Sequence, residues 1–161
     1  MNLKQFDDIS LIDHVYLQMA GNVVRDGVTD WSDFRQWKAA VASMPEPVQT
    51  TYRIGVLNIQ VMNGGFIQYF DNGYGIFALD TLADYDKIQE PEYGIFLKKA
   101  IEVINTKNLG GDELAQYVYF HQYRSVQNRI AERLELIDDE YYAANSESLE
   151  KSWANYLRRS L

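Results

Sequence analysis

The chain has 161 residues, with 23 acidic and 15 basic side chains and a formal net charge of −8. It contains no cysteine, which excludes disulfides, thiolate nucleophiles and cysteine-bound metal clusters. The negative balance disfavours direct binding to a phosphate backbone, and the length fits one domain with its own apolar core.

Apolar residues recur at helical spacing almost throughout the chain, and no stretch alternates as a strand would. Two helices are expected in the first 45 residues. Ser10 is the expected cap of the first, and Gly27 marks its end. The second starts near residues 30–32 and stops at Pro45, because proline cannot continue the hydrogen-bond ladder of a helix.

The third predicted helix is the most apolar one. Pro47 stands in its first turn, where a missing N–H costs nothing. Arg53 is its only charged residue before Asn63. Since a helix that is apolar on most sides is normally buried on most sides, we expect this helix at the centre of the fold.

Four further helices are expected after a corner at residues 63–65. They cover about 75–84, 90–104, 112–141 and 146–159. The sequence therefore predicts an all-α protein in which residues 1–161 form a single compact domain of six to eight helices around the buried central helix.

The sequence offers little for catalysis or for metal binding. His14 and His121 fall on separate predicted helices, so a zinc site would need both histidines and two carboxylates to converge. Neither a serine-nucleophile motif nor a phosphate loop occurs. We expect no enzymatic activity, no metal and no cofactor.

Neither the first residues nor any internal run looks like a membrane or export segment. MNLKQFDDIS has no apolar leader, and the longest uncharged run, residues 54–70, is interrupted by Gly, Asn and Gln. We expect a cytoplasmic protein that contacts no membrane.

Acidic side chains form the candidate interaction surface. Glu132, Glu135 and Asp139 share one helix face over a rise of about 10 Å. Phosphates on one DNA strand recur about every 3.4 Å along the axis, so such a row can imitate a stretch of backbone. A solvated helix surface explains the same pattern. The candidate set of partner-binding acids is completed by Asp138, beside this row, and by Asp80 and Asp84, which share a face of the helix near 75–84.

The stretch NGGFIQYFDN at residues 63–72 supports two interpretations. In the first it is a packing corner. Asn63 or Gly64 takes a left-handed conformation and Gly65 frees the next bond. Phe66, Tyr69 and Phe70 then recur at i, i+3 and i+4 on one inward face. The amides of Asn63, Gln68 and Asn72 bond the backbone of the turn.

In the second interpretation the same stretch forms the rim of a pocket or partner surface. Gln68, Tyr69, Asn72 and Tyr74 then supply polar tips to a small-molecule site, which would appear as a deep cleft.

The pattern N-G-G-F-x-Q-Y-F-x-N at 63–72, together with LIDDEYY at 136–142, resembles the signature of the DNA-mimic protein 19-like family. The resemblance covers about residues 46–159, and residues 1–45 are then N-terminal helices packed on that part. It implies an all-helical protein that works without catalysis, as a dimer, by offering an acidic surface to a DNA-binding regulator in place of DNA.

From the residues and the resemblance together we predict a non-enzymatic, acidic protein-interaction module. Its expected partner is a basic DNA-binding protein, with no direct binding of nucleic acid. The apolar faces of the terminal helices allow either a closed core or a homodimer. Two alternatives stand beside this prediction: an immunity or antitoxin-like inhibitor of a basic toxin, and a small-molecule-binding domain with its pocket near residues 63–72.

Overall fold

The computed structural model describes residues 3–126 and 129–161. Within these ranges it contains nine helices and no strand, which confirms the all-α prediction. The first helix runs through α1 (Asp8–Asp13), a π-helical segment (His14–Ala20) and α2 (Gly21–Gly27) without a break. The others are α3 (Phe34–Ala42), α4 (Glu46–Asp71), α5 (Ala78–Lys87), α6 (Pro91–Ile104), α7 (Gly111–Tyr119), α8 (Tyr123–Val126), α9 (Ile130–Ala143) and α10 (Ser146–Ser160).

The first helix is capped by Asp7 and not by Ser10, so the predicted cap is wrong. The Ser10 backbone N–H donates to Asp7 Oδ1 at 2.9 Å, and the Ser10 hydroxyl donates to Asp7 Oδ2 at 2.7 Å. A carboxylate accepts both donors at once and suits the positive end of the helix dipole. The end of α2 at Gly27 is as predicted.

Helix α4 is the central helix that the sequence predicts. Every residue from 50 to 57 is buried. The helix contacts the π-helical segment, α5, α9 and α10, so it has neighbours on most sides. In the part of the chain that the structure describes, neither α4 nor any other helix combines the length and the apolar character that a membrane span needs.

The two ends of the chain pack against each other and on α4. Helix α1 lies on α10, and the π-helical segment lies on α4. Trp153 of α10 is buried and donates its ring N–H to Thr51 Oγ1 at 3.1 Å. Arg158 pairs with Asp8 at 2.6 Å. The apolar faces of the terminal helices therefore close the core of this chain.

The single helix predicted over 112–141 is wrong. Helix α7 ends at Tyr119, and His121 has a φ of +53°, which breaks the helical path. The reason lies at the end of α4. His121 Nε2 is 2.8 Å from the Asp71 carbonyl oxygen, and the Tyr123 hydroxyl donates to Asp71 Oδ1 at 2.5 Å. Residues 127 and 128, which the predicted helix crosses, lie outside the described residues. This break raises the number of helices above the predicted six to eight.

Candidate interaction surface and the Asn-Gly-Gly corner

Helix α4 bends sharply at Gly64 and Gly65. Gly64 has φ −164° and ψ 23°, and Gly65 has φ +76° and ψ 178°, a combination open to glycine alone. The left-handed residue is thus Gly65, where the sequence predicted Asn63 or Gly64. A Cβ at position 65 would overlap the carboxylate of Asp138. Only glycine both adopts this backbone conformation and leaves room for the Asp138 carboxylate.

Asp138 caps the part of α4 that follows the bend. Its Oδ1 accepts the Phe66 backbone N–H at 2.7 Å, a donor that the bend leaves without a partner inside the helix. The Asp138 side chain is buried. Burial raises the pKa of this carboxyl above its ordinary value, the Phe66 N–H opposes that shift, and the charges of Asp139 and Glu135 add to it.

Two tyrosines of α9 hold the preceding part of α4. The Tyr142 hydroxyl donates to the Val61 carbonyl at 2.8 Å, and the Tyr141 hydroxyl donates to Asn58 Oδ1 at 2.9 Å. With the Asp138 contact, these bonds join residues 138–142 to residues 58–66 of α4, which include the corner. The two stretches that carry the family resemblance are therefore in direct contact, although about 70 positions separate them.

The rest of NGGFIQYFDN divides between core and surface. Phe66, Tyr69 and Phe70 are fully buried, as the packing interpretation predicts. The prediction that the amides bond the backbone of the turn is wrong for Gln68 and Asn72. Gln68 Nε2 and Asn72 Nδ2 both donate to the side-chain oxygen Oε1 of Gln60, at 3.0 and 2.7 Å. Gln60 was not among the predicted residues of this stretch. Its place one turn before Gly64 on α4 is the feature that could have suggested it.

The pocket interpretation is wrong for Tyr69 but agrees with the position of Asn72. Tyr69 is sealed in the core and reaches no pocket. Asn72 borders an open groove of about 380 Å³, together with Gly73, Tyr119 and His121.

The candidate acids separate into exposed and buried groups. Glu132, Glu135 and Asp139 are exposed on α9, and Asp80 is exposed on α5. Glu132 accepts a hydrogen bond from Arg129 Nε at 2.7 Å. Asp84 is fully buried and Asp138 is 8% exposed, so neither carboxylate is presented to a partner in this conformation.

Asp84 is the centre of a buried polar cluster. Its carboxylate accepts bonds from Arg53 Nε at 2.5 Å, Thr50 Oγ1 at 2.9 Å and Lys87 Nζ at 3.2 Å. Burying a charge without such partners is costly. The cluster explains why the apolar part of α4 contains one charged residue, Arg53, because that residue pairs with the buried Asp84 of α5.

A family model described as DMP19-like protein matches residues 42–160. The match spans most of the chain and includes both stretches of the corner. The chain belongs to the DMP19-like protein family. This is the family that the NGGFIQYFDN and LIDDEYY patterns resemble. No curated protein and no solved structure matches the chain.

In this DMP19-like chain the exposed acids of α9 have large apolar neighbours. Leu136 on α9 is 69% exposed and Tyr142 is 45% exposed. The Tyr142 hydroxyl bonds the Val61 carbonyl, and Met62, the next residue of α4, is 57% exposed. Sequence reasoning missed these residues. The exposure of Leu136 could have been predicted from the helical register. The inward-facing residues of α9 are Ile130, Leu134, Ile137 and Tyr141, and this register leaves Leu136 on the outer face.

We define the acidic stripe as Glu132, Glu135 and Asp139. Asp80 and Asp84 lie on a different helix, α5, and are not part of the stripe. The structure also shows no group of three or more His, Asp or Glu side chains within its described ranges that is placed to hold a metal ion.

Proposed function

We propose that this DMP19-like protein is a non-enzymatic interaction module that presents the acidic stripe to a basic, DNA-binding protein. The observation that carries the proposal is the exposure of three carboxylates in a row on helix α9, in a chain with a net charge of −8. Family membership supports a DNA-mimic-like role, and the family is not a known enzyme family.

The stripe has the dimensions of a short piece of DNA backbone. Glu132 and Asp139 are separated by about 10 Å along the helix axis, which corresponds to about three base-pair steps at 3.4 Å each. A partner that reads phosphates with Arg and Lys side chains would meet carboxylates at comparable spacing. Carboxylates form charge-assisted hydrogen bonds with these side chains as phosphates do.

The corner supports this proposal by fixing the stripe. Asp138 lies between Glu135 and Asp139 in the sequence and is tied to Phe66, while Tyr142 is tied to Val61. Helix α9 is thus held to α4 on both sides of Asp139. A preorganised row of charges loses less entropy on binding than a flexible one.

The test is capture of DNA-binding proteins by the immobilised chain at low salt. We expect recovered partners to be basic, to be released as salt is raised, and to be displaced by duplex DNA. Reversal of Glu132, Glu135 and Asp139 to Lys is expected to abolish capture. Asp138 stays unchanged, because its substitution would disturb the corner.

The matched control reverses three acids that are exposed on other helices, Glu92 and Glu102 on α6 and Glu113 on α7. It changes the net charge by the same amount and should leave capture intact. Equal loss in both triple variants would mean that only total charge matters, and retention after reversal of the stripe would refute the proposal. We also propose, from the family resemblance, that the chain acts as a homodimer, which sedimentation of the purified protein tests.

A further inference from the structure

A cavity of about 440 Å³ opens between α3, α4 and α5, on a different part of the molecule from the acidic stripe. Its size is within the range of small-molecule sites, roughly 300–1,000 Å³. Three basic side chains line it: Arg35 and Lys38 from α3, and Arg53 from α4. Two carboxylates, Asp80 and Asp112, line it as well. The basic side chains of the lining therefore exceed the acidic ones by one, in a chain whose net charge is −8.

Arg53 forms a fixed, buried wall of this cavity. Its Nε and Nη2 donate to the two oxygens of Asp84 at 2.5 and 3.0 Å, and its Nη1 donates to Gln49 Oε1 at 3.1 Å. A guanidinium has five N–H donors. For the other two, the structure gives no acceptor among the described residues. Asp84 therefore holds Arg53 in one orientation while part of its hydrogen-bonding capacity stays available.

Arg35 supplies a second guanidinium at the mouth of the cavity. Its side chain is exposed and lies 4.9 Å from the centre of the Phe34 ring. No hydrogen bond or ion pair of its guanidinium is seen within the described part of the chain. Lys38 differs, because its Nζ already pairs with Asp112 at 2.7 Å. Arg35 and Arg53 are thus the two groups able to receive an anion.

The remaining walls indicate what kind of anion fits. Val41, Phe77 and two alanines line the cavity with apolar surface, which suits an organic body better than a bare inorganic ion. Asp80 also lines it and is exposed. A carboxylate next to an ammonium group would satisfy the arginines and Asp80 together.

We propose that this cavity binds a small organic carboxylate with an apolar body, and that a zwitterion such as an apolar α-amino acid fits it best. Arg fork geometry matches a carboxylate with two parallel hydrogen bonds. Arg35 and Lys38 precede the segment that the family model matches, whereas Gln49, Arg53 and Asp80 are inside it. The site is therefore created where the N-terminal helices pack on the family part, and it is independent of the acidic stripe.

The experiment is a titration of the full-length, ¹⁵N-labelled chain at constant ionic strength, followed by NMR. The probes are leucine, 3-methylbutanoate, 3-methylbutylamine and inorganic phosphate. We expect leucine and 3-methylbutanoate to shift the amides around the cavity and the Arg53 Nε–H signal in a saturable way. Leucine should bind more tightly, with a Kd on the order of 1 mM for so small a ligand. The amine and phosphate should give no saturable shift.

Two charge reversals provide the variant and its control. Arg35→Glu removes the exposed guanidinium but leaves the buried Arg53–Asp84 contact in place, so the fold should persist. We expect it to weaken leucine binding at least tenfold. Arg25→Glu is the control, since Arg25 is exposed on α2 and does not line the cavity; its Kd should equal that of the unmodified chain.

Three results would overturn the proposal. The first is the absence of saturable shifts with both carboxylates. The second is equal binding in the two variants, and the third is a phosphate response as strong as that of 3-methylbutanoate, which would indicate general anion screening.

Discussion

Replacement of Gly65 by alanine should destabilise the fold by about 2.5–6 kcal/mol. Two costs combine. A φ of +76° with ψ of 178° is a backbone conformation that costs a non-glycine residue about 1–3 kcal/mol. The new Cβ also overlaps the Asp138 carboxylate, so the 2.7 Å bond to the Phe66 N–H must break. A hydrogen bond to a charged group contributes about 1.5–3 kcal/mol.

Urea denaturation followed by far-UV circular dichroism measures the free energy of unfolding. The matched control is Gly94→Ala in the interior of α6, where the nearest atom to a new Cβ is 3.5 Å away, an ordinary contact. There alanine should be neutral or stabilise the helix by up to about 1 kcal/mol. The same substitution, glycine to alanine, is thus expected to change the free energy of unfolding in opposite directions or by very different amounts at the two positions.

A double-mutant cycle with Asp138→Ala separates the two costs. In that background the overlap is gone and only the backbone term remains, so Gly65→Ala should cost about 1–3 kcal/mol. A loss below about 1 kcal/mol in the unmodified chain, or strict additivity with Asp138→Ala, would refute the account of the corner.

Three further predictions concern the polar contacts of Asp138, Asp84 and Tyr142. Burial raises the folded pKa of Asp138 above the ordinary 3.8, so the folded state holds its proton more tightly and stability contributed by this group is lost as pH rises from near 3.8 through the raised value. Asp138→Asn has no such titration. Between pH 3.5 and about 7, the free energy of unfolding of the variant, measured by urea denaturation, should therefore rise relative to that of the unmodified chain. A difference between the two proteins that stays constant with pH would contradict this prediction. Asp84→Ala leaves the buried Arg53 without its carboxylate partner and should lower the free energy of unfolding by about 3–5 kcal/mol. The double variant Arg53→Met with Asp84→Leu should recover part of this loss in the same assay. If the single and the double variant are equally unstable, the loss does not come from the unpaired charge of Arg53. Tyr142→Phe removes the bond to the Val61 carbonyl and should cost about 1 kcal/mol, whereas Tyr156→Phe, which loses no described hydrogen bond, should be nearly neutral.

The sequence was sufficient to predict features that depend on local spacing. The periodicity of apolar residues located the helices, and Pro47 and Gly27 located two of their ends. The central position of α4 followed from its apolar character alone. The corner at residues 63–65 was also predicted, because two consecutive glycines after an apolar helix have few other structural explanations.

Features that depend on distant partners could not be predicted in the same way. Which glycine takes the left-handed conformation is decided by Asp138, 73 positions after Gly65. The break after Tyr119 has no Gly or Pro to mark it and is produced by contacts of His121 and Tyr123 with Asp71. Apolar register continued across it by coincidence, which produced the wrong long helix.

Among the candidate acids, spacing identified a shared face but not the depth of each side chain. Glu135 and Asp138 are three positions apart, yet one is exposed and the other is buried against α4. Arg53 offered a partial indication for Asp84, since a lone charge on a buried helix requires a partner of opposite sign. Locating that partner among the many acids of the chain required the structure.

The contact between Gly65 and Asp138 has a consequence for comparing relatives. Because a Cβ at one position and a carboxylate at the other exclude each other, the two positions cannot vary independently wherever the bend is kept. Glycine at the first should therefore coincide with a short hydrogen-bond acceptor at the second in aligned sequences. Inspection of these two alignment columns together would separate relatives that retain the bend from those that share only an apolar central helix. This holds even where the overall sequence identity is too low to assign a relative to the family.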